Sequence, residues 1–118
     1  MKRLIDTSVL VDNLKTGVFE EGVLSVITLI EVLRGVPEEK RESVKSLLEE
    51  SYGMLNLDNR TILAYCKLYS KLRRKGELVP DADLLLAATA IAHDLVLVTK
   101  DRHFERLEKY GLRVELRE

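Results

Sequence analysis

Four acidic residues stand just past short apolar runs or at the head of an apolar helix. Asp6 ends Leu4-Ile5, and Glu31 lies about one helical turn after the run 23–26. Asp83 precedes Leu84-Leu85-Leu86-Ala87-Ala88, and Asp101 follows Thr99 and the run 95–98. Taken singly, each has a plain structural reading. Asp6 and Asp101 suit helix N-caps, Asp83 suits a helix dipole, and Thr28 with Glu31 fits a capping box. Gathered at one place they have a different chemistry. Two carboxylates ~6 Å apart repel by about 3 kcal/mol at an effective dielectric of ~20, so four must either take up protons or bind cations. Oxygen ligands without His or Cys suit Mg²⁺ or Mn²⁺ rather than Zn²⁺. His93 and His103 lack zinc-like spacing and read as surface or half-buried residues.

Gathering these acids is the task of the elements between them. Leu4-Ile5 reads as a buried strand, followed by a helix over 9–14 that ends near Gly17. A second strand spans 23–26, and Thr28 opens a helix closed by Gly35. Pro37, with Glu38 and Glu39, starts a third helix that Gly53 caps at its far end. Residues 54–57 form a third strand, and Asp58 N-caps a long helix running to Gly76. Pro80 introduces a Leu- and Ala-rich helix lasting to about 93. The run 95–98 is the most apolar strand and therefore central. A helix over 102–109 and an edge strand over 112–116 complete the chain.

Strands alternating with helices imply one α/β domain, residues 1–118, with a parallel sheet covered on both faces. Ligands of such sheets bind beyond the carboxyl ends of the strands. The helix from Asp83 to His93 is about 15 Å long at ~1.5 Å per residue. That roughly matches a four-residue strand at ~3.3 Å each, so Asp83 returns to the rim that bears Asp6, Glu31 and Asp101.

The bulk composition limits the partners. The 118 residues suffice for one core, and 46% hydrophobic with 33% charged residues is an ordinary globular mix. A net charge of −1 gives no overall positive field, so nucleic acid must be met by a local basic patch or by metal. Arg34, Lys100 and Arg102 are placed to receive phosphates near the rim. Lys71, Arg73, Arg74 and Lys75 form a second cluster, most simply read as a solvated helix end. Two Phe and four Tyr offer little base stacking.

The single cysteine, Cys66, excludes an intrachain disulfide. Its spacing from Ile62, Tyr65, Tyr69 and Leu72 predicts a packed thiol. Met1-Lys2-Arg3 and Leu4-Ile5 imitate a signal peptide, but Asp6 interrupts the run. No stretch approaches the ~20 apolar residues of a membrane span. A soluble, unprocessed, cytoplasmic protein is expected.

Four stretches in order make the chain resemble the PIN-domain ribonucleases, in particular the VapC-type toxins of prokaryotic toxin–antitoxin pairs. They are Ile5-Asp6-Thr7-Ser8-Val9-Leu10, Thr28-Leu29-Ile30-Glu31-Val32-Leu33-Arg34-Gly35, Asp83-Leu84-Leu85-Leu86-Ala87-Ala88-Thr89-Ala90 and Leu97-Val98-Thr99-Lys100-Asp101-Arg102-His103-Phe104. The resemblance implies strand order 3-2-1-4-5, with Asp6, Glu31 and Asp83 as core metal-binding acids and Asp101 as the fourth. It selects Asp83 over Asp81 by distance to Ala87-Ala88, and casts Ser8 and Thr99 as supporting hydroxyls. It further implies hydrolysis of RNA phosphodiesters with Mg²⁺ or Mn²⁺, a VapB-like antitoxin and a homodimer. An RNA-processing role without an antitoxin is the nearest alternative.

Response-regulator receiver domains share part of this pattern through Asp6, Asp58, Thr99 and Lys100. That reading lacks an acidic pair after the first strand and leaves Glu31 and Asp83 unused. A haloacid-dehalogenase-type phosphatase needs an acid where Ser8 stands. A docking module is the third possibility, with Val44, Leu47 and Leu48 as core or contact surface.

Overall fold

In the computed structural model, which describes residues 2–118, Leu4 and Ile5 lie fully buried in strand β1 (Arg3–Ile5). Met1, the first residue of the expected domain and signal-like segment, lies outside the described residues. Asp6 caps α1 (Thr7–Thr16) by accepting from the Thr7 amide, and Gly17 at φ 70° ends it. The left-handed region is one that glycine enters without steric cost. β2 (Val23–Ser25) and α2 (Val26–Arg34) follow, then a 3-10 turn (Glu38–Lys40), α3 (Arg41–Ser51) and β3 (Gly53–Leu55). α4 (Asn59–Lys75), α5 (Asp81–Ala92), β4 (Val96–Thr99), a 3-10 helix (Arg102–Tyr110) and β5 (Arg113–Leu116) complete the chain.

The five strands pair in parallel in the order β3-β2-β1-β4-β5. Leu4 lies opposite Val23 on one side and Leu97 on the other, which seats β1 and β4 side by side at the centre. Alternation then splits the core in two. Leu4 and Leu97 face a cluster with Leu68, Leu72, Leu84, Phe104 and Leu107, beneath α4, α5 and the 3-10 helix. Ile5 and Val98 face the other, with Val9, Leu10, Leu29 and Leu48, beneath α1, α2 and α3. The doubly covered parallel sheet is thus the expected one.

Several local expectations are corrected. Ser25, not Thr28, caps α2, its hydroxyl accepting from the Ile27 amide, so the second strand stops at Ser25. Thr28 lies fully buried inside the helix, and its hydroxyl has no partner among the described residues. The Thr28–Glu31 capping box is therefore absent. Gly53 does not cap α3 but opens β3, where a Cβ would stand 2.9 Å from Val23 Cγ1.

The 102–109 helix is a 3-10 helix throughout. Such runs rarely exceed about four residues. Here Phe104, Leu107 and Tyr110 recur every third residue, the period of a 3-10 helix, and Phe104 and Leu107 are buried. Cys66 is exposed, against expectation, because the buried stripe of α4 is Thr61, Leu68 and Leu72, which leaves Ile62 and Cys66 outside. Leu48 is core, whereas Leu47 is exposed.

The tight turn before β4 forms as expected, with Asp94 at φ 53° and paired to Arg113. α5 runs antiparallel to α4, as contacts at both ends show. His93 Nε2 lies 2.9 Å from Asp58 Oδ2 at one end, and the Tyr65 hydroxyl donates to Asp81 at 2.7 Å nearer the other.

Candidate metal centre

The parallel sheet brings the ends of β1 and β4 together, and two hydroxyls tie them. Thr99 Oγ1 donates to Asp6 Oδ2 at 2.6 Å and accepts from the Asp101 amide at 3.0 Å. Ser8 Oγ donates to the same Asp6 oxygen at 2.9 Å and accepts from the Lys100 amide at 3.1 Å. The Thr7 amide donates to Asp6 Oδ1 at 2.8 Å. Asp6 is buried, yet none of these donors is charged. A carboxylate has about four lone-pair sites. Asp6 therefore keeps one open, on Oδ1.

The other acids are less fully engaged. Glu31, on α2, accepts from Thr7 Oγ1 at 2.8 Å through Oε1. Asp101 caps the 3-10 helix through Oδ1, which takes the His103 amide at 2.9 Å and lies 2.8 Å from His103 Nδ1. These bonds hold the Asp101 carboxyl below its ordinary value, the His103 amide first among them. Asp83 is half-buried in the first turn of α5, without a hydrogen bond or ion pair among the described residues. Its carboxyl is pushed above the ordinary value, first by burial and then by the charges of Asp101, Asp6 and Glu31. Asp83 thus feels the charges of the other three acids, although the four come from separate stretches.

The simple readings of Asp6 and Asp101 as N-caps also hold, so cap and site are the same residues. Asp81 turns away to Tyr65. Lys100, expected to receive phosphate, pairs with Asp12 at 2.7 Å. Arg34 is exposed, and Arg102, also exposed, stands 3.8 Å from Glu105. Asp58 caps α4 by accepting from the Thr61 amide and faces His93, so it is not presented as a phospho-acceptor. Thr7, Asp12 and His103 were not foreseen in these roles. Thr7 reaches a partner 24 residues away, a contact without a local signal.

Among the described residues no group of three or more His, Cys, Asp or Glu side chains is placed to hold a metal ion by itself. A hard cation such as Mg²⁺ does not need one, since it commonly keeps several waters and takes one or two carboxylates directly. The available donors fit that habit: one open site on Asp6, the free Oε2 of Glu31, both oxygens of Asp83 and Oδ2 of Asp101.

A parallel 3-2-1-4-5 sheet with acids just past β1 and β4, in the second turn of α2 and in the first turn of α5 defines the class. The chain belongs to the PIN domain family, which it matches over residues 3–110. It is 40% identical to Ribonuclease VapC1 of Methanocaldococcus jannaschii over 117 residues, covering 96% of this chain and 86% of that one. The crystal structure of DNA-bound VapBC from Salmonella typhimurium contains a similar chain, with TM-score 0.80, 26% identity and coverage of 98% and 97%. VapBC2 from Rickettsia felis, bound to a DNA fragment from its promoter, contains another with TM-score 0.82, 22% identity and 98% coverage of each chain.

Proposed function

We propose that this chain, as one PIN domain over residues 1–118, is a Mg²⁺- or Mn²⁺-dependent endoribonuclease and the toxin of a type II toxin–antitoxin pair. The observation that carries the reading is the joining of Asp6 to Asp101 through Thr99 and to Glu31 through Thr7, with Asp83 close enough to feel all three charges. The 40% identity to Ribonuclease VapC1 supports RNA as the substrate, and the likeness to VapBC chains supports a VapB-like antitoxin as partner. A homodimer and a cytoplasmic location belong to the same reading. No helix among the described residues is long and apolar enough to cross a membrane.

Asp6, Glu31, Asp83 and Asp101 would hold the cation, directly or through water. When bound, it supplies a water of lowered pKa and charge compensation at the leaving 3′ oxygen. Asp6 is the fixed point, its carboxylate locked by the Thr7 amide, Ser8 and Thr99. Glu31, steadied by Thr7, and Asp83 would complete the oxygen set around the cation, directly or through water. Asp101 holds its place through His103 and presents its remaining oxygen to the same rim.

The ends of the products test this chemistry. Water attack with departure of the 3′ oxygen leaves a 5′-phosphate and a 3′-hydroxyl. Labelled RNA incubated with protein and Mg²⁺ or Mn²⁺ should yield those ends, and EDTA should stop the reaction. A 2′,3′-cyclic phosphate formed equally well in EDTA would show attack by the neighbouring 2′-hydroxyl and refute the metal-dependent reading.

A further inference from the structure

The basic cluster at the end of α4 borders a concavity. Tyr69, Ser70, Arg73 and Arg74 line a shallow depression of about 530 Å³. Arg73 and Arg74 are exposed and, among the described residues, neither has a carboxylate partner. Arg74 Nε donates to the Ser70 carbonyl at 3.3 Å, which holds its side chain back along the helix. Lys75 differs, lying 5.5 Å from the centre of the Tyr110 ring. Solvated cations that merely complement a helix dipole need neither a concavity nor an aromatic wall.

The depression is tied to the acidic rim by a chain of contacts. Tyr69 stacks on Tyr65, with ring centres 6.0 Å apart and planes 23° from parallel. The Tyr65 hydroxyl donates to Asp81, two residues before Asp83. Gly76 to Pro80 are all that separate the end of α4 from the start of α5. Unpaired guanidiniums beside an aromatic face match a nucleic-acid strand, whose phosphates attract the one and whose bases stack on the other.

We propose that this depression binds single-stranded RNA a few nucleotides from the bond to be cut, with flanking phosphates on Arg73 and Arg74 and a base against Tyr69. The proposal rests on the nuclease reading for its cleavage readout but not for its binding readout. It explains how a chain of net charge −1 grips a polyanion: the cations are local and set apart from the acids.

The test measures binding of fluorescein-labelled single-stranded RNA by anisotropy, in EDTA, across a range of salt. Wild type is compared with Arg73→Gln/Arg74→Gln, with Tyr69→Leu, and with Lys40→Gln/Lys45→Gln, a control of equal charge loss around α3. Each released phosphate contact lowers the slope of log K against log salt by about 0.7 for single strands, so the arginine variant should lose about 1.4 from its slope. Tyr69→Leu should weaken binding about 5- to 100-fold with little change in slope. Cleavage of the same RNA should show raised KM with kcat unchanged in both, while the lysine control behaves as wild type. Unfolding curves matching wild type establish that the variants are folded.

An arginine variant with the wild-type slope, or a lysine control that loses as much, overturns the proposal. So does a changed solution mass with unchanged RNA binding, which would assign the surface to contact between copies of the chain. Slope loss confined to the arginine variant, in a protein that cuts no RNA in any metal, sustains the depression and refutes the nuclease reading.

Discussion

Asp83 has no hydrogen-bond donor among the described residues, yet shares its surroundings with three other acids. Burial comes first and their charges next in pushing its carboxyl above the ordinary value. The sign follows from linkage: a raised acid contributes stability below its unfolded pKa and loses it as pH rises through the folded value. In EDTA, Asp83→Asn should therefore match wild type near pH 3 and melt higher than it at pH 7. Adding Mg²⁺ should raise the wild-type melting temperature more than that of the variant. Calorimetry at the two pH values reads both effects, and a variant that melts lower than wild type at pH 7 in EDTA contradicts the crowding.

Thr99 is the second residue with a sharp consequence, because its hydroxyl serves Asp6 and the Asp101 amide together. Thr99→Val should cost about 1–3 kcal/mol in stability by leaving the Asp101 amide unpaired and removing a donor from the buried Asp6 carboxylate. It should also cost roughly 10- to 100-fold in metal affinity or activity by loosening two acids. Urea melts and cleavage rates measure the two. The four acids were legible from their place after apolar runs, but the donors that aim them were not. Thr7 meets Glu31 and Lys100 meets Asp12 only because the chain folds, and neither pairing has a local spacing rule.

The elements were legible where end signals agree with apolar content. Asp58 and Gly76 bracket α4, Pro80 and His93 bracket α5, and the order of strands and helices follows. The misread boundaries have identifiable causes. Ser25 and Thr28 are both good caps, and the choice falls to Ser25 because Thr28 is needed in the core, where it is fully buried. The 3-10 helix escaped because a period of three is easily taken for 3.6 over nine residues. Cys66 was misplaced by the same narrow margin, one position off the buried stripe of α4.

Close packing at the sheet carries a prediction at this scale. A Cβ on Gly22 would meet Ile5 Cγ1 at 2.9 Å and the Arg3 carbonyl at 3.1 Å, beside the strand that ends in Asp6. Gly22→Ala should destabilise by about 1–3 kcal/mol. A lower urea midpoint with unchanged slope checks it, and an unchanged midpoint contradicts the packing described.

Across the whole molecule, acids and bases are arranged to do different work. On the α1–α3 side of β5, Arg117 grips Glu20 at 2.6 and 2.7 Å and Glu115 at 3.0 Å, and Arg3 reaches Glu115 at 3.0 Å. Those acids are neutralised by cations of the same chain. The four at the rim have His103 on Asp101 and otherwise uncharged donors, while Lys100 is drawn off to Asp12. Four acids drawn together at one rim with so little cationic compensation suit a resident cation, and that contrast with Glu20 and Glu115 is the core of the functional reading. The most direct measurement is RNA cleavage by wild type and by Asp6→Asn, side by side, in Mg²⁺, in Mn²⁺ and in EDTA. Metal-dependent cutting by wild type is expected, with a folded Asp6→Asn protein slower by about 100-fold or more, since loss of one key charge-stabilising group costs ~10²–10³ in rate. Equal cleavage by the two proteins, or cleavage indifferent to EDTA, would contradict it.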